Sequence, residues 1–124
     1  MREIKFRAWD KKYKQMKNDC SNIYMGMNGR LYWKFGYDEI EPLPDYIPML
    51  YTGLKDKNGR EIYENDYVLI ERVIVCEIIW DTKNCRYILT EISNGNIFHP
   101  NKIKEGIYFG NKFEGKFKEI QKDG

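Results

Sequence analysis

The 124-residue sequence predicts a mainly β fold, built as a small barrel or sandwich of short antiparallel strands. Three observations predict it. Aromatic residues make up 15% of the chain, with ten Tyr, six Phe and three Trp, a bias that suits pleated, half-buried surfaces. Apolar runs are interrupted at short intervals by turn sequences such as Asp56-Lys57-Asn58-Gly59, Asp81-Thr82-Lys83-Asn84 and Ser93-Asn94-Gly95-Asn96. An Asn28-Gly29 pair between two apolar runs reads as a hairpin turn. Hydrophobic residues at 42% and charged residues at 32% permit a buried core.

The elements follow in order. Ile4, Phe6 and Ala8 alternate with Lys5, Arg7 and Trp9, giving a first strand that turns at Asp10-Lys11-Lys12. Met16 resumes a short apolar element. The hairpin 22–35 comes next. A two-residue turn at Asn28-Gly29 would pair Met25 with Tyr32 and Tyr24 with Trp33. It would place Ile23, Met25, Met27 and Tyr32 on one face, and Tyr24, Leu31, Trp33 and Phe35 on the other. Two apolar faces on one hairpin call for cover on both sides, from the rest of the chain, a partner or another copy. Pro42, Pro44 and Pro48 then exclude a regular helix or central strand over 36–48 and mark a boundary. The expected division is an N-terminal β subdomain over 1–48 and a C-terminal β subdomain over 49–124, packed as one unit.

In the C-terminal part, 49–54 is a strand. Asp56 caps its own turn, with Gly59 in the left-handed position of a three-residue loop. Residues 67–71 and 73–80 are apolar enough to be buried on much of both faces. A turn at 81–84 would place Trp80 opposite Cys85 and Cys76 opposite Leu89, with both cysteines facing strand interiors and no disulfide implied. Residues 97–98 and 103–109 complete the strands. A terminal helical turn over 113–120 competes with Gly110 and Gly115.

Charge is unevenly distributed. Residues 1–17 carry seven Lys/Arg against two acids, and residues 38–66 carry eight acids against three bases. Lys5, Arg7 and Trp9 on one strand face, followed by Lys11, Lys12 and Lys14, form a candidate nucleic-acid site, because basic groups hold phosphates and aromatic rings stack bases. The structural alternative is a lysine-protected strand edge. No apolar run reaches the length of a membrane span, and the charged N-terminus does not read as a signal peptide, so the expected location is the cytoplasm.

The sequence offers little for catalysis. Its one histidine, His99, precedes Pro100 and reads as a loop or rim residue. Three cysteines and one histidine lack the close pairing of a zinc site. Asp56-Lys57-Asn58-Gly59 resembles the start of a calcium loop, but the position of its last acidic ligand falls on Tyr67. No catalytic residue, cofactor or metal ligand is expected.

Two blocks go beyond generic β pattern. The opening run Met1 to Lys12, MREIKFRAWDKK, with Met16 after it, resembles the start of the YopX-type proteins of phages and prophages. The run Met49 to Val68, MLYTGLKDKNGREIYENDYV, is similar to that family's most characteristic stretch. Asn65 stands where the family usually has Gly, and Lys116 where its closing pattern has Pro. The resemblance implies a mainly β protein with an SH3-like small barrel in the C-terminal half, made by a phage or prophage in a bacterial host cell. It implies no activity. Gly53, Gly59 and Asp66 are expected to serve turns, and Tyr51, Ile62, Tyr63 and Val68 to fill the core.

The leading expectation is therefore a non-enzymatic accessory protein. It would be a self-associating β module for a host or phage macromolecule, using Ile23, Met25, Met27 and Tyr32 as its partner surface. Nucleic-acid binding through the basic N-terminal strand is the alternative. A metal-dependent hydrolase on the acidic middle segment is a third reading.

Overall fold

A computed structural model of the chain describes residues 5–34 and 39–115. They form antiparallel sheets and one short 3-10 helix, and contacts divide them into a first unit, residues 5–50, and a second from Tyr51 onward.

In the first unit, β1 (Phe6–Asp10) pairs with β2 (Gln15–Lys17), Trp9 standing opposite Met16. The turn between them is fixed by Asp10, almost fully buried, whose Oδ1 accepts from the backbone N–H groups of Lys12 and Tyr13. On its other side β1 pairs with the first half of β6 (Tyr46–Lys55), Arg7 opposite Met49 and Ala8 opposite Pro48. Pro48 thus lies inside a strand, at a point where that strand is paired on one side alone. The strand tolerates it because β1 is the one strand paired with this half of β6 among the described residues.

A separate sheet joins β3 (Ile23–Met25), β4 (Leu31–Lys34) and β5 (Ile40–Pro42). Its hairpin corrects the expected register. Met25 stands opposite Leu31 and Tyr24 opposite Tyr32. Gly26 N–H donates to Arg30 O, and Gly29 N–H to Gly26 O, so the loop is three residues, Met27 to Gly29. Only Gly29 needs positive φ, at 80°. Asn28 instead turns its side chain inward, accepting from Arg30 N–H at 2.9 Å, which favours the longer loop. The one-residue shift puts Ile23, Met25, Leu31 and Trp33 on one face and moves Tyr32 to the other, beside Tyr24.

In the second unit the end of β6 pairs with β7 (Glu61–Tyr63) across a bulge between Tyr51 and Lys55. Gly53, at φ 86°, makes that bulge rather than a turn. Thr52 closes it, its hydroxyl donating to Ile62 O at 2.7 Å and accepting from Leu54 N–H. The following loop is as the sequence predicts. Asp56 Oδ1 accepts from Asn58 and Arg60 N–H, and Gly59 has φ 85°. Asp56 does more than cap, because its Oδ2 accepts from Tyr108 N–H, 52 residues away. Arg60 lies over the Tyr108 ring at 3.5 Å from its centroid.

β8 (Asp66–Ile70), β9 (Ile74–Asp81), β10 (Arg86–Glu91), β11 (Ile97–Phe98) and β12 (Ile107–Asn111) form a curled half-barrel in the order β11-β10-β9-β8-β12. Its inner rows, Val68, Ile70, Cys76, Ile78, Tyr87 and Leu89, close with Ile62 and Ile103 into one core. Each such side chain contributes about 1.5–3 kcal/mol by leaving water.

Further expectations are corrected here. Trp80 faces Tyr87, not Cys85, and Cys76 faces Glu91, not Leu89. Cys85 sits in the loop at φ 51°, exposed, and is not a strand residue. Ile103 belongs to a 3-10 helix, Pro100–Glu105, not to a strand. Pro100 suits a first helical turn, and His99 caps it by accepting from Asn101 N–H through Nδ1. The helix buries only Ile103 and turns its lysines outward. Residues 112–115 form a turn, while the rest of the helical turn expected over 113–120 lies outside the described residues.

Candidate binding surfaces

The basic N-terminal strand does not present the face expected of it. Arg7 and Trp9 are buried, at 5% and 8% exposure, and Lys5 is half-buried. Every residue of β1 after Phe6 is buried, so both faces of this strand are covered. Lys11, Lys12 and Lys14 are exposed, but they lie in the turn after β1, with Lys12 Nζ 5.4 Å from the Tyr13 ring centroid. The six residues therefore split into a covered strand and an exposed basic turn.

The hairpin residues are also divided. Ile23 and Met25 are half-buried on the Leu31 face, Met27 is fully exposed at the loop tip, and Tyr32 lies on the opposite face. That opposite face carries a row running from Tyr24 through Tyr32 to Pro42. Arg30, opposite Gly26, and Lys34, opposite Ile40, flank the row. Tyr24 is 53% exposed and Ile40 62%. Beside Tyr32 and Arg30 a recess of about 390 Å³ opens, floored by Pro42, Pro44, Tyr46 and Pro48. Sequence reasoning missed this arrangement because it rests on the register, which one extra loop residue changes.

The second unit has an uncovered apolar row on the outside of its half-barrel. Ile107 stands opposite Leu69, Leu69 opposite Val75, and Ile92 N–H donates to Val75 O. Opposed residues share a face, so these four aliphatic side chains lie in one line across the sheet. Ile107 is 43% and Ile92 40% exposed, with Leu69 and Val75 half-buried. Strands expected to be buried on much of both faces are thus half-buried or exposed along the outer one, and on the inner one Trp80 is 44% exposed.

The buried carboxylates of Asp56 and Asp66 are occupied structurally. Asp66 and Asn111, both fully buried, bond to one another, Asn111 Nδ2 donating to Asp66 Oδ1 at 2.9 Å. Tyr63 N–H donates to Asp66 Oδ2 at 2.8 Å, and Asn111 Oδ1 accepts from Phe113 N–H. Among the described residues no group of three or more His, Cys, Asp and Glu side chains is placed to hold a metal ion. Asp38, which belongs to the acidic middle segment, lies outside them.

The three cysteines are free and differ in environment. Burial pushes the Cys76 thiol up to about 11, with Glu91 adding to the shift. Burial and then the neighbouring Asp19 raise that of Cys20, whose Sγ donates to Lys17 O. Because Cys76 binds its proton more tightly when folded, its contribution to stability is present below pH 9 and is lost as pH rises through about 11. With a thiol-reactive dye at pH 8, Cys85 is expected to label first, Cys20 more slowly and Cys76 only on unfolding. Cys85→Ser should remove the fast phase, and labelling of Cys76 at the Cys85 rate would contradict the packing described.

Among the described residues no helix is long and apolar enough to cross a membrane. These features define a small all-β protein whose distinctive residues set turns, bulges and cores and whose uncovered surfaces are sheet faces. A family model for the YopX protein matches residues 5–114, and the chain belongs to the YopX family. Its fold is similar to that of protein EF1440 from Enterococcus faecalis, at 27% identity and a TM-score of 0.57, covering 93% of this chain and 96% of that one. It is also similar to YopX from Bacillus subtilis, at 18% identity and a TM-score of 0.57, covering 92% and 95%. No curated protein matches the chain by sequence.

Proposed function

We propose that the protein is a non-enzymatic accessory module of phage or prophage origin. It acts in the cytoplasm of a bacterial host, and it self-associates to engage a host or phage macromolecule. The observation that carries this reading is the aliphatic row Ile107–Leu69–Val75–Ile92 on the outside of the half-barrel. Apolar rows of this kind across a sheet face are favourable to cover and costly to leave in water. The non-enzymatic part is supported by the use of Asp56 and Asp66 as acceptors for structural donors, which removes them from acid–base work.

Light scattering across micromolar concentrations tests it. The expected mass is a multiple of 15.0 kDa. Ile92→Lys/Ile107→Lys, at two exposed positions that leave the core intact, should shift the mass to a single chain with an unchanged circular dichroism spectrum. A strict monomer in the unaltered protein would remove self-association.

A further inference from the structure

We propose that the solvent-facing side of the β3–β4–β5 sheet is a binding site for single-stranded nucleic acid, with bases stacked on Tyr24 and Tyr32 and phosphates held by Arg30 and Lys34. Its residues are none of those in the aliphatic row of the half-barrel or in the basic N-terminal turn.

Three features of the face point to that ligand. Tyr24 and Tyr32 are directly opposed on neighbouring strands, so both rings lie on one face, Tyr24 more than half exposed near Lys34 and Tyr32 beside Gly26 and Asn28. Two rings on one sheet face offer a stacking platform that accepts any base, since every base has a π-face. The cations are on the same side: Lys34 Nζ lies 5.9 Å from the Tyr24 ring centroid, and Arg30 follows the loop next to Tyr32. The paired positions of this face hold no acid. The nearest acid in the sheet, Glu41, stands opposite Trp33 and so faces the other way. The face is therefore cationic although the whole chain carries only +2, and the charge matches a phosphate backbone rather than a basic partner. The recess beside Tyr32 and Arg30, at about 390 Å³, falls within the range of small-ligand pockets, about 300–1,000 Å³, and is bordered by Tyr46 and three prolines. That gives an unstacked base at the end of the platform an apolar place to enter.

Tyr residues bring large rigid area at low entropic cost, and Tyr32 is already held because Asn28 Nδ2 donates to its hydroxyl at 3.1 Å. Lys34 over Tyr24 can move to a phosphate without leaving a buried charge behind, because both side chains are exposed.

The test is fluorescence anisotropy of the full-length protein with labelled oligo-dT and oligo-rU of about 20 nucleotides, long enough to span the platform, at ~50 and ~200 mM salt. Binding is expected at low salt, weaker for duplex DNA. Tyr24→Ala should weaken it roughly five- to a hundredfold, as loss of one stacking ring does. Arg30→Gln/Lys34→Gln should lower the slope of log affinity against log salt by about 1.4, two phosphate contacts on a single strand. All three positions lie outside the buried core, so the variants should keep the native spectrum and the mass found by light scattering. Failure here and failure of self-association are thus read separately. No binding at low salt, equal affinity for duplex, competition by polyglutamate as strong as by oligo-dT, or unchanged affinity in both variants would each overturn the proposal.

Discussion

Asp66→Ala is expected to lower the unfolding free energy by about 4 kcal/mol, since two buried donors lose their acceptor at about 1–3 kcal/mol each. The donors are Tyr63 N–H and Asn111 Nδ2, and Asp66 and Asn111 have no exposed surface through which water could replace the carboxylate. The location raises the effect. Asn65 takes φ 67° in the turn before Asp66, its N–H donates to Ile78 O, and its own carbonyl accepts from Lys112 N–H. The turn between β7 and β8 is thereby bonded to β9 and to the residue after β12, with Asp66 at its centre. Asp66→Asn keeps an acceptor for one donor and sets an amide N–H against the other, so about half the loss is expected. Asn111 cannot rescue this by rotating its amide, because its Oδ1 already accepts from Phe113 N–H. Urea titration of the three proteins checks the order. A cost below ~1 kcal/mol for Asp66→Ala, the worth of an ordinary exposed hydrogen bond, would show the network to be dispensable.

Asp66 also shows where the sequence was legible and where it was not. A short turn followed by Asp, inside a run of β-branched and aromatic residues, reads as a strand start. The partner, Asn111, is 45 residues away and nothing in its local sequence announces the bond. The same division recurs. The Asp56 loop was readable, because side chain, cap and left-handed glycine lie within five residues of one another. Its tie to Tyr108 was not. Register failed at both hairpins for one reason: a non-glycine residue or an extra residue took the turn. Cys85 adopts φ 51° in one, and Asn28 uses its side chain instead of a left-handed backbone in the other. The error at the Cys85 hairpin is two residues and leaves each side chain on its expected face. The one-residue error at the Asn28 hairpin changes every face, which is why the Tyr24–Tyr32 face was invisible while the presence of the strands was not. Arg7 and Trp9 failed differently. Alternation assigned them to a polar face, but both are buried: β1 is flanked by β2 and β6 and covered on both faces, which its own residue pattern does not show.

Gly106→Ala is expected to be nearly as damaging, for a reason that no turn rule supplies. Gly106 closes the 3-10 helix at φ −94°, an ordinary backbone conformation that alanine adopts freely. The constraint is space. A Cβ there would stand 2.4 Å from Val68 Cγ1, 3.0 Å from Ile70 Cγ2 and 3.1 Å from Leu69 O. Carbon atoms pack at about 3.5–4.0 Å, so either β8 or the segment carrying Gly106 must move. Neither moves cheaply. Val68 and Ile70 belong to the core, and Gly106 O accepts from Lys57 N–H beside the Asp56–Tyr108 bond. Overpacking of this kind costs about 1–3 kcal/mol, and the upper end is expected where both contacts are with buried side chains. The clash is mainly with one methyl group, which makes a double-mutant cycle decisive. Val68→Ala alone should destabilise by leaving a cavity. In the Val68→Ala background the alanine at 106 gains room, so the double variant should be more stable than the two single effects added together by about 1 kcal/mol or more. Strict additivity would mean that the penalty at Gly106 comes from Leu69 O and the backbone, and that β8 itself yields before the Val68 side chain does.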